Sequence, residues 1–283
     1  MKPRLRAAGD LPGATVDQQI ALLEQLATFD LGRFLLENRG LNAYWTHQLI
    51  TSPPGTRTAR DPDDLEYRIF ETMPLINASR ERFDIFRQQL QKLLSPGSII
   101  ASIPCGLMAE LLLLDYDGLD DVTLIGIDLD RAALDAALAL AGERGLADRL
   151  SVRRADAWAT GLNAEVDALV SNGLNMYEPD DDRLTALYRS FFDSLKPGGT
   201  LITSIITPPP SVSADSPWRM DEIDTDSLAL QDVLFTRLIE VKWNNFRTYA
   251  RTRNQLEQAG FSDIEFIDNR TRIFPTVIAH KPR

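Results

Sequence analysis

The chain has 283 residues, of which 44% are hydrophobic, enough apolar material for one large domain or for a domain and a cap. Its formal net charge is −11 and it has no run of Lys or Arg, so neither nucleic acid nor a membrane surface is expected as a partner. A single cysteine excludes an internal disulfide framework, and two histidines far apart give no expected metal site. Because we find neither a signal-peptide pattern nor about 18 consecutive apolar residues, the sequence predicts a cytoplasmic protein.

The first 97 residues have a helical pattern. Apolar residues recur at helical spacing from Val16 to Leu36, and a helix-breaking Asn38-Arg-Gly40 follows. A second stretch, 41–50, carries the aromatic pair Tyr44-Trp45 and precedes a Pro-rich loop at 53–62. A third helical stretch should run from about Asp63 to Leu94, with an interruption at Met73-Pro74. We therefore predict a helical N-terminal cap over residues 1–97.

From Ser98 onward, short apolar runs alternate with helical stretches, which predicts an α/β domain with a parallel sheet. The predicted strands are 98–103, 122–127, 149–153, 166–171, 199–206, 261–267 and 272–280, and the predicted helices are 106–114, 131–144, 181–195 and 248–259. Lys196-Pro-Gly-Gly199 should be a turn, and 224–243 a helix in an insertion. No helix fits between the last two strands, so they should form an antiparallel hairpin.

The most informative feature is Asp128, which closes the apolar run Val122–Ile127 and directly precedes a helix. Twenty-two residues upstream of Asp128, the strand from Ser98 enters the tight turn Pro104-Cys-Gly106. A strand, a glycine-containing turn, a helix and a second strand ending in an acid form the nucleotide-binding half of an α/β domain. A carboxylate in that position can accept hydrogen bonds from both hydroxyls of a ribose. The chain is therefore expected to bind an adenosine-containing cofactor.

Six motifs in this order resemble the class I S-adenosylmethionine (SAM)-dependent methyltransferases: Ile103-Pro-Cys-Gly106, Gly126-Ile-Asp-Leu-Asp130, Ala155-Asp-Ala-Trp158, Ser171-Asn-Gly173, Leu195-Lys-Pro-Gly-Gly199 and Ala259-Gly-Phe261. The resemblance covers Ser98 to Lys281. It implies a Rossmann-like, seven-stranded and mostly parallel sheet whose last strand is antiparallel. It also implies a SAM-binding domain over 98–283, in which an insertion at 207–247 contributes to the acceptor pocket.

The resemblance further implies residue roles. Asp128 would hold the ribose diol, and Asp156 would accept from the adenine amino group, with Ala157 and Trp158 beside the ring. Ser171 and Asn172 would line the crevice where the fourth strand ends. The full expected cofactor set is Ser102, Pro104, Cys105, Gly106, Asp128, Leu129, Asp156, Ala157, Trp158, Ser171 and Asn172.

One departure from the family lies in the glycine-rich loop. The family pattern is acid-x-Gly-x-Gly-x-Gly, and the aligned residues Ser102 to Met108 keep only the middle glycine, Gly106. The acid is missing, so the loop has no evident partner for the ammonium group of the cofactor. Cys105 could be a nucleophile, but no histidine is near it in sequence, and a small buried turn residue is the better interpretation.

The catalytic candidates are His47, Tyr44 and Tyr177. His47 follows Tyr44-Trp45 on a helix that commonly covers the acceptor pocket in this family, and it could be a general base or an ordinary surface or core-edge histidine. Tyr177 follows the fourth strand and either orients the acceptor or starts the next helix. The aromatic residues Trp218, Trp243, Phe246 and Tyr249 line a pocket or attach the insertion, and Arg247 pairs with an acceptor carboxylate or with a surface acid.

A sulfonium methyl is already activated, so the protein mainly has to align the acceptor and exclude water. We therefore expect methyl transfer to a small, aromatic or amino-acid-like metabolite. The alternatives are a cyclisation-type reaction on the same fold and a non-catalytic cofactor-binding protein. A nicotinamide-dependent oxidoreductase is disfavoured because it would need a full Gly-x-Gly-x-x-Gly. A homodimer is one assembly that the sequence leaves open.

Overall fold

The computed structural model describes residues 1–61 and 64–283. The predicted start of the third helix at Asp63 and the predicted end of the loop at Pro62 lie outside the described residues. The described helices are α1 Lys2–Ala8, α2 Val16–Leu26, α3 Asp30–Asn38, α4 Ala43–Thr51, α5 Leu65–Glu71, α6 Pro74–Leu93, α7 Ala109–Leu112, α8 Arg131–Glu143, α9 Asp181–Ser194, α10 Thr225–Asp232 and α11 Tyr249–Ala259. The strands are β1 Ile99–Ser102, β2 Thr123–Asp128, β3 Leu150–Arg154, β4 Val166–Ser171, β5 Leu195–Ser204, β6 Ser262–Ile267 and β7 Thr276–His280.

The chain folds into two compact units. The helical unit consists of Met1–Arg80 and Arg219–Trp243, and the sheet unit consists of Glu81–Trp218 and Asn244–Arg283. Helix α6 begins in the first unit and ends in the second. The helical unit is therefore assembled from two segments that are far apart in sequence. Among the described residues, no helix is long and apolar enough to cross a membrane.

The N-terminal helices of the helical unit differ in one respect from the prediction. The stretch from Val16 to Leu36 forms two helices, α2 and α3, instead of one. The two helices approach each other closely: a Cβ built on Gly32 would lie 2.0 Å from the backbone oxygen of Leu26. A capping box at Thr15 starts α2, and the predicted interruption at Met73-Pro74 is confirmed, since α6 begins at Pro74.

The insertion contributes to the core of the helical unit. Helix α10 begins after Asp224, whose carboxylate accepts from the backbone N–H of Ser227 at 2.7 Å. The predicted single helix at 224–243 changes at Val233 into a π-helical segment, Val233–Ile239, and ends at Glu240 with φ 54°. Its buried side chains pack in one cluster with residues of the N-terminal helices: Leu5, Leu26, Leu31, Leu35, Phe70, Leu230, Leu234, Phe235, Leu238 and Ile239.

The sheet has the strand order β3-β2-β1-β4-β5-β7-β6. Strands β1 to β5 pair in parallel, and β7 is antiparallel to both of its neighbours, β5 and β6. The predicted seven-stranded sheet with one antiparallel strand is confirmed. The strand order reverses at β1, which lies between β2 and β4. In open α/β sheets, ligands bind outside the carboxyl ends of the strands at such a reversal.

Successive residues of β1 point to opposite faces of the sheet. Ala101 belongs to a core formed with α9 and α11, and Ile100 belongs to a second core formed with α6, α7 and α8. Both faces of the sheet are therefore covered, as the continuous apolar strands predict.

Three predicted boundaries in the sheet unit are wrong. The predicted helix at 106–114 is reduced to Ala109–Leu112, because the loop from Cys105 to Met108 forms its own turn. The predicted turn at Lys196–Gly199 lies within β5, where the register with β4 shifts between Val166 and Ala168. The last strand begins at Thr276, directly after Pro275, which has no N–H to donate to a neighbouring strand.

Candidate functional site

Asp128 joins the ends of β1 and β2 through its carboxylate. Its Oδ2 accepts from the backbone N–H of Gly106 at 3.0 Å, and its Oδ1 accepts from the N–H of Asp130 at 2.9 Å. The side chain is half-buried, and each oxygen retains lone-pair capacity for a further donor. The carboxylate is therefore held at the carboxyl edge of the sheet, in the orientation that the loop and the following helix impose.

The altered glycine loop packs its side chains into the core. Cys105 and Met108 are buried, and a Cβ on Gly126 would lie 2.7 Å from Met108 Sδ and 3.2 Å from Cys105 Sγ. Met108, at the last glycine position of the family pattern, keeps a left-handed backbone with φ 56°. The pKa of the Cys105 thiol is raised, mainly by burial and to a smaller extent by the nearby charge of Asp128. The interpretation of Cys105 as a buried turn residue is supported over that of a nucleophile.

A buried carboxylate lies where the loop lacks its acid. Ser102, the last residue of β1, donates from Oγ to Oε1 of Glu110 at 2.6 Å, and both residues are buried. Burial raises the pKa of Glu110. We did not predict Glu110 from the sequence. The only available signal was an acid eight residues after Ser102, in a stretch that otherwise reads as apolar helix.

The residues after β3 form a local turn. Asp156 is exposed, and its Oδ1 accepts from the backbone N–H of Trp158 at 3.1 Å. The indole N–H of Trp158 donates to the carbonyl of Arg183 at 2.7 Å, and the Arg183 guanidinium lies 5.1 Å from the ring centroid. Ala157 is buried in the adjoining core. One face of the Trp158 ring is thus occupied by a residue of α9.

The end of β4 contains an unsatisfied acceptor. Ser171 is buried as the last residue of β4. Asn172 follows it, and its buried Oδ1 atom has no hydrogen-bond partner in the part of the chain that the structure describes. An unpaired buried acceptor costs free energy, so its presence at the carboxyl edge of the sheet is consistent with a ligand donor there. Pro104 and Leu129 also lie at this edge, Pro104 half-buried and Leu129 58% exposed.

Arg247 stabilises the loop after β4. Its Nη1 donates to the carbonyls of Asn175 and Asn245 and its Nη2 to the carbonyl of Glu178, and it pairs with Asp181 at 3.2 Å. Of the two sequence interpretations, pairing with an acid of the protein is the observed one. Tyr177, in the same loop, is 39% exposed.

Arg82 is a second buried arginine in the sheet unit and was not predicted. Its Nη1 lies 3.4 Å from Ser204 Oγ and 4.0 Å from Met176 Sδ, and its guanidinium lies 4.5 Å from the Phe274 ring centroid. Ser204 ends β5, Met176 follows β4 and Phe274 precedes β7. All three therefore place Arg82 at the carboxyl edge of the parallel strands.

The other two catalytic candidates belong to the helical unit. His47 and Tyr44 lie on α4. His47 is half-buried, and its Nδ1 atom has no hydrogen-bond partner among residues 1–61 and 64–283. Burial lowers the pKa of His47. Tyr44 is 52% exposed and packs edge-on against Trp45. The predicted site residues thus divide between the two units, with the cofactor set and Tyr177 in the sheet unit.

The predicted aromatic set also divides between the units. Trp243 packs edge-on against Phe235 in the helical unit. In the sheet unit, the indole N–H of Trp218 donates to Thr207, and Tyr249 donates to Asp268 and packs against Phe266. Each of these contacts joins residues of a single unit.

A family model described as a methyltransferase domain matches residues 102–199. A protein from Bordetella parapertussis, described as a possible exported protein, is 52% identical, with a TM-score of 0.95 over 100% of this chain and 93% of that chain. The SAM-dependent methyltransferase SibL is 16% identical, with a TM-score of 0.54 over 94% of this chain and 76% of that one. The [4+2]-cyclase SpnF is 17% identical, with a TM-score of 0.50 over 72% and 82% of the two chains.

None of the curated proteins that were compared matches this chain significantly. The family match covers the strands and loops that carry Ser102, Asp128, Asp156 and Ser171. The similarities to SibL and SpnF concern the fold. The chain belongs to one family with the Bordetella parapertussis protein, and its fold is that of the class I SAM-dependent methyltransferases.

Proposed function

We propose that the protein transfers a methyl group from SAM to a small organic acceptor, with the cofactor bound at the carboxyl edge of β1, β2 and β4. The position of the Asp128 carboxylate carries this proposal. It is fixed by the N–H groups of Gly106 and Asp130 and retains acceptor capacity for a ribose diol. The matched methyltransferase-domain region includes this strand end.

The residues present fit an adenosine-containing cofactor. Asn172 Oδ1 is an unpaired buried acceptor, and exposed Leu129 offers an apolar surface beside Asp128. In the proposed complex, Asp156 accepts from the adenine amino group, and Ala157 and Trp158 lie beside the ring. The backbone of Pro104, Cys105 and Gly106 approaches the cofactor, since the side chain of Cys105 faces the core.

Glu110 and Ser102 supply the polar group that the altered loop lacks. The serine hydroxyl is polarised by the buried carboxylate at 2.6 Å, and Ser102 ends the strand that leads into the loop. A hydroxyl or carboxylate in this position can accept from a cofactor ammonium. The pair thus replaces, from helix α7, the acid that the family places at the end of β1.

Bound SAM supplies a methyl group on an activated sulfonium. The protein then binds and orients the acceptor and excludes water, and effective alignment is worth up to about 7–11 kcal/mol. We assign residues 1–97 and 207–247, with Tyr44 among them, to the acceptor pocket. Tyr177, in the loop after β4, is assigned separately to orienting a flat acceptor. His47 receives the proton of an acceptor hydroxyl or ammonium group. Its lowered pKa keeps the imidazole neutral at pH 7, as a base requires.

The acceptor is proposed to be a small, partly aromatic metabolite. The net charge of −11 repels polyanions such as nucleic acids. A cytoplasmic location remains our prediction, and the relative from Bordetella parapertussis is described as a possible exported protein.

The test is calorimetric titration with S-adenosylhomocysteine, followed by incubation with SAM and a panel of small aromatic and amino-acid-like compounds. We expect cofactor binding and a product that is heavier by one methyl group. A product of unchanged mass would instead support a cyclisation, the reaction named for the similar fold of SpnF. No binding of either SAM or S-adenosylhomocysteine would contradict the proposal.

A further inference from the structure

The guanidinium of Arg82 is buried without a compensating carboxylate. The residue is 6% exposed, and no acid in ranges 1–61 and 64–283 forms an ion pair with its guanidinium. Within these ranges, only Nη1 has hydrogen-bond partners, a serine hydroxyl at 3.4 Å and a thioether sulfur at 4.0 Å, and Nε has none. Burial lowers the pKa of Arg82 to about 10, so the group stays charged at neutral pH.

Arg247 shows what a structural arginine in the same unit looks like. It is equally buried, at 4% exposed, and among the described residues its Nε is also unpaired. Its Nη1 and Nη2, however, donate to three carbonyls and to the carboxylate of Asp181. Burying a charge without such partners costs several kcal/mol. An anionic ligand that binds the Arg82 guanidinium would offset this free-energy cost.

The surroundings of Arg82 define the ligand. Ser204, Met176 and Phe274 come from three elements at the carboxyl edge of β4 and β5, and β4 is also one of the strands proposed to bind the cofactor. A single guanidinium balances one negative charge, which favours a carboxylate over a phosphate dianion. A planar guanidinium can bind a carboxylate through two parallel hydrogen bonds.

We propose that Arg82 binds a carboxylate group of the methyl acceptor, with Ser204 as a second donor and Phe274 beside the bound group. The acceptor class is thus an organic acid whose apolar or aromatic body carries one carboxylate. This assignment rests on the proposed methyl transfer for the identity of the ligand as an acceptor. The anion site itself does not depend on the reaction.

The first test compares the thermal stability of Arg82→Met and Arg247→Met. Because Arg82 lacks a counter-ion, its replacement by an apolar side chain should leave the melting temperature unchanged or raise it. Arg247→Met should lower the melting temperature by several degrees, because three carbonyls and Asp181 lose their donor. Arg144→Met, at an exposed position, is the control for the substitution itself. An equal loss for Arg82→Met and Arg247→Met would assign Arg82 a structural role and overturn the proposal.

The second test measures binding directly on protein labelled with ¹⁵N-arginine. The Nε–H resonance of Arg82 is identified by its absence in Arg82→Lys, with Arg144→Lys as the matched control. Benzoate should shift this resonance, and the isosteric amide benzamide should not. In Arg82→Met, the affinity for benzoate is measured by how much benzoate raises the melting temperature. This affinity should be about tenfold or more below that of the unaltered protein. No shift with benzoate, an equal shift with benzamide, or a shift with phenyl phosphate alone would overturn the assignment.

Measuring cofactor affinity in Arg82→Met distinguishes a failure of this proposal from a failure of the proposed function. Titration with S-adenosylhomocysteine should give the same affinity in Arg82→Met as in the unaltered protein, because Arg82 lies at β4 and β5 and not at Asp128. Binding of benzoate through Arg82 together with no cofactor binding would leave the anion site standing and contradict methyl transfer. Cofactor binding without benzoate binding would contradict the anion site and leave the proposed methyl transfer standing.

Discussion

At the scale of single residues, Asp128 carries the strongest expectation for cofactor binding. Replacement by Ala removes an acceptor that would form charge-assisted hydrogen bonds with the ribose diol, worth about 1.5–3 kcal/mol each. We expect the affinity for S-adenosylhomocysteine, measured by calorimetry, to fall by tenfold or more. Asp135→Ala, an exposed acid on α8, makes the same charge change and should leave the affinity unaltered. Unchanged affinity in Asp128→Ala would contradict the ribose assignment.

His47 provides a second expectation at this scale. As a base, it acts in its neutral form, so activity should fall as the pH drops through its pKa. Burial lowers this pKa from 6.5, and the acid limb of the kcat/KM profile should therefore lie below pH 6.5. His47→Gln should reduce turnover by about 10² or more, abolish this limb and leave cofactor affinity intact. An unaltered turnover and profile would assign His47 to packing, with alignment as the main contribution to catalysis.

The sequence predicts those positions of the candidate site that depend on local pattern. Asp128 could be predicted because a strand end, a turn and a helix fix its position by local pattern alone. Arg82 and Glu110 could not be predicted, because each contacts residues on other elements, which local sequence patterns do not reveal. Arg82 lies 122 residues from Ser204, and only the folded sheet brings β4, β5 and the approach to β7 around it.

At the scale of elements, two helical glycines should respond oppositely to the same substitution. Gly32→Ala places a Cβ 2.0 Å from the backbone oxygen of Leu26, and backbone cannot yield as a flexible side chain does. We expect a loss of about 1–3 kcal/mol or more. In α8, a Cβ on Gly142 meets nothing within 4 Å, so Gly142→Ala should stabilise the protein by about 0.5–1 kcal/mol. Denaturant titration of both variants measures the difference, and similar stability for both would contradict the close packing of α2 and α3.

The sequence predicted one helical stretch from Val16 to Leu36 because helical periodicity continues on both sides of the break between α2 and α3. The close approach of Gly32 to Leu26 becomes evident only once the two helices are separate. By contrast, all seven strands and the hairpin of β6 and β7 were predicted, although the starts of β5 and β7 were not. Apolar runs of strand length, and a connection too short for a helix, are local properties of the sequence. The register shift in β5 depends on its pairing with β4, and the turn-forming residues Lys196–Gly199 concealed it.

At the scale of the whole molecule, the helical unit depends on two separate segments of chain. Leu230, Leu234 and Phe235 of the insertion are buried in the same cluster as residues of α1 to α5. A chain truncated to residues 74–283 keeps α6 intact but removes most of this cluster. The buried apolar side chains of 225–239 would then be exposed to water, at about 25 cal/mol per Å² of apolar surface.

We therefore expect the truncated chain to aggregate and to bind a hydrophobic dye. Replacing residues 219–243 of the same truncated chain with a flexible Gly/Ser linker removes the exposed cluster and leaves every strand of the sheet in place. This second variant should be monomeric by size-exclusion chromatography and should bind S-adenosylhomocysteine, because the residues proposed for the cofactor all lie in the sheet unit. A soluble, dye-free 74–283 chain would show that the insertion does not need the N-terminal helices. Loss of cofactor binding in a well-folded linker variant would mean that the helical unit supplies part of the cofactor site.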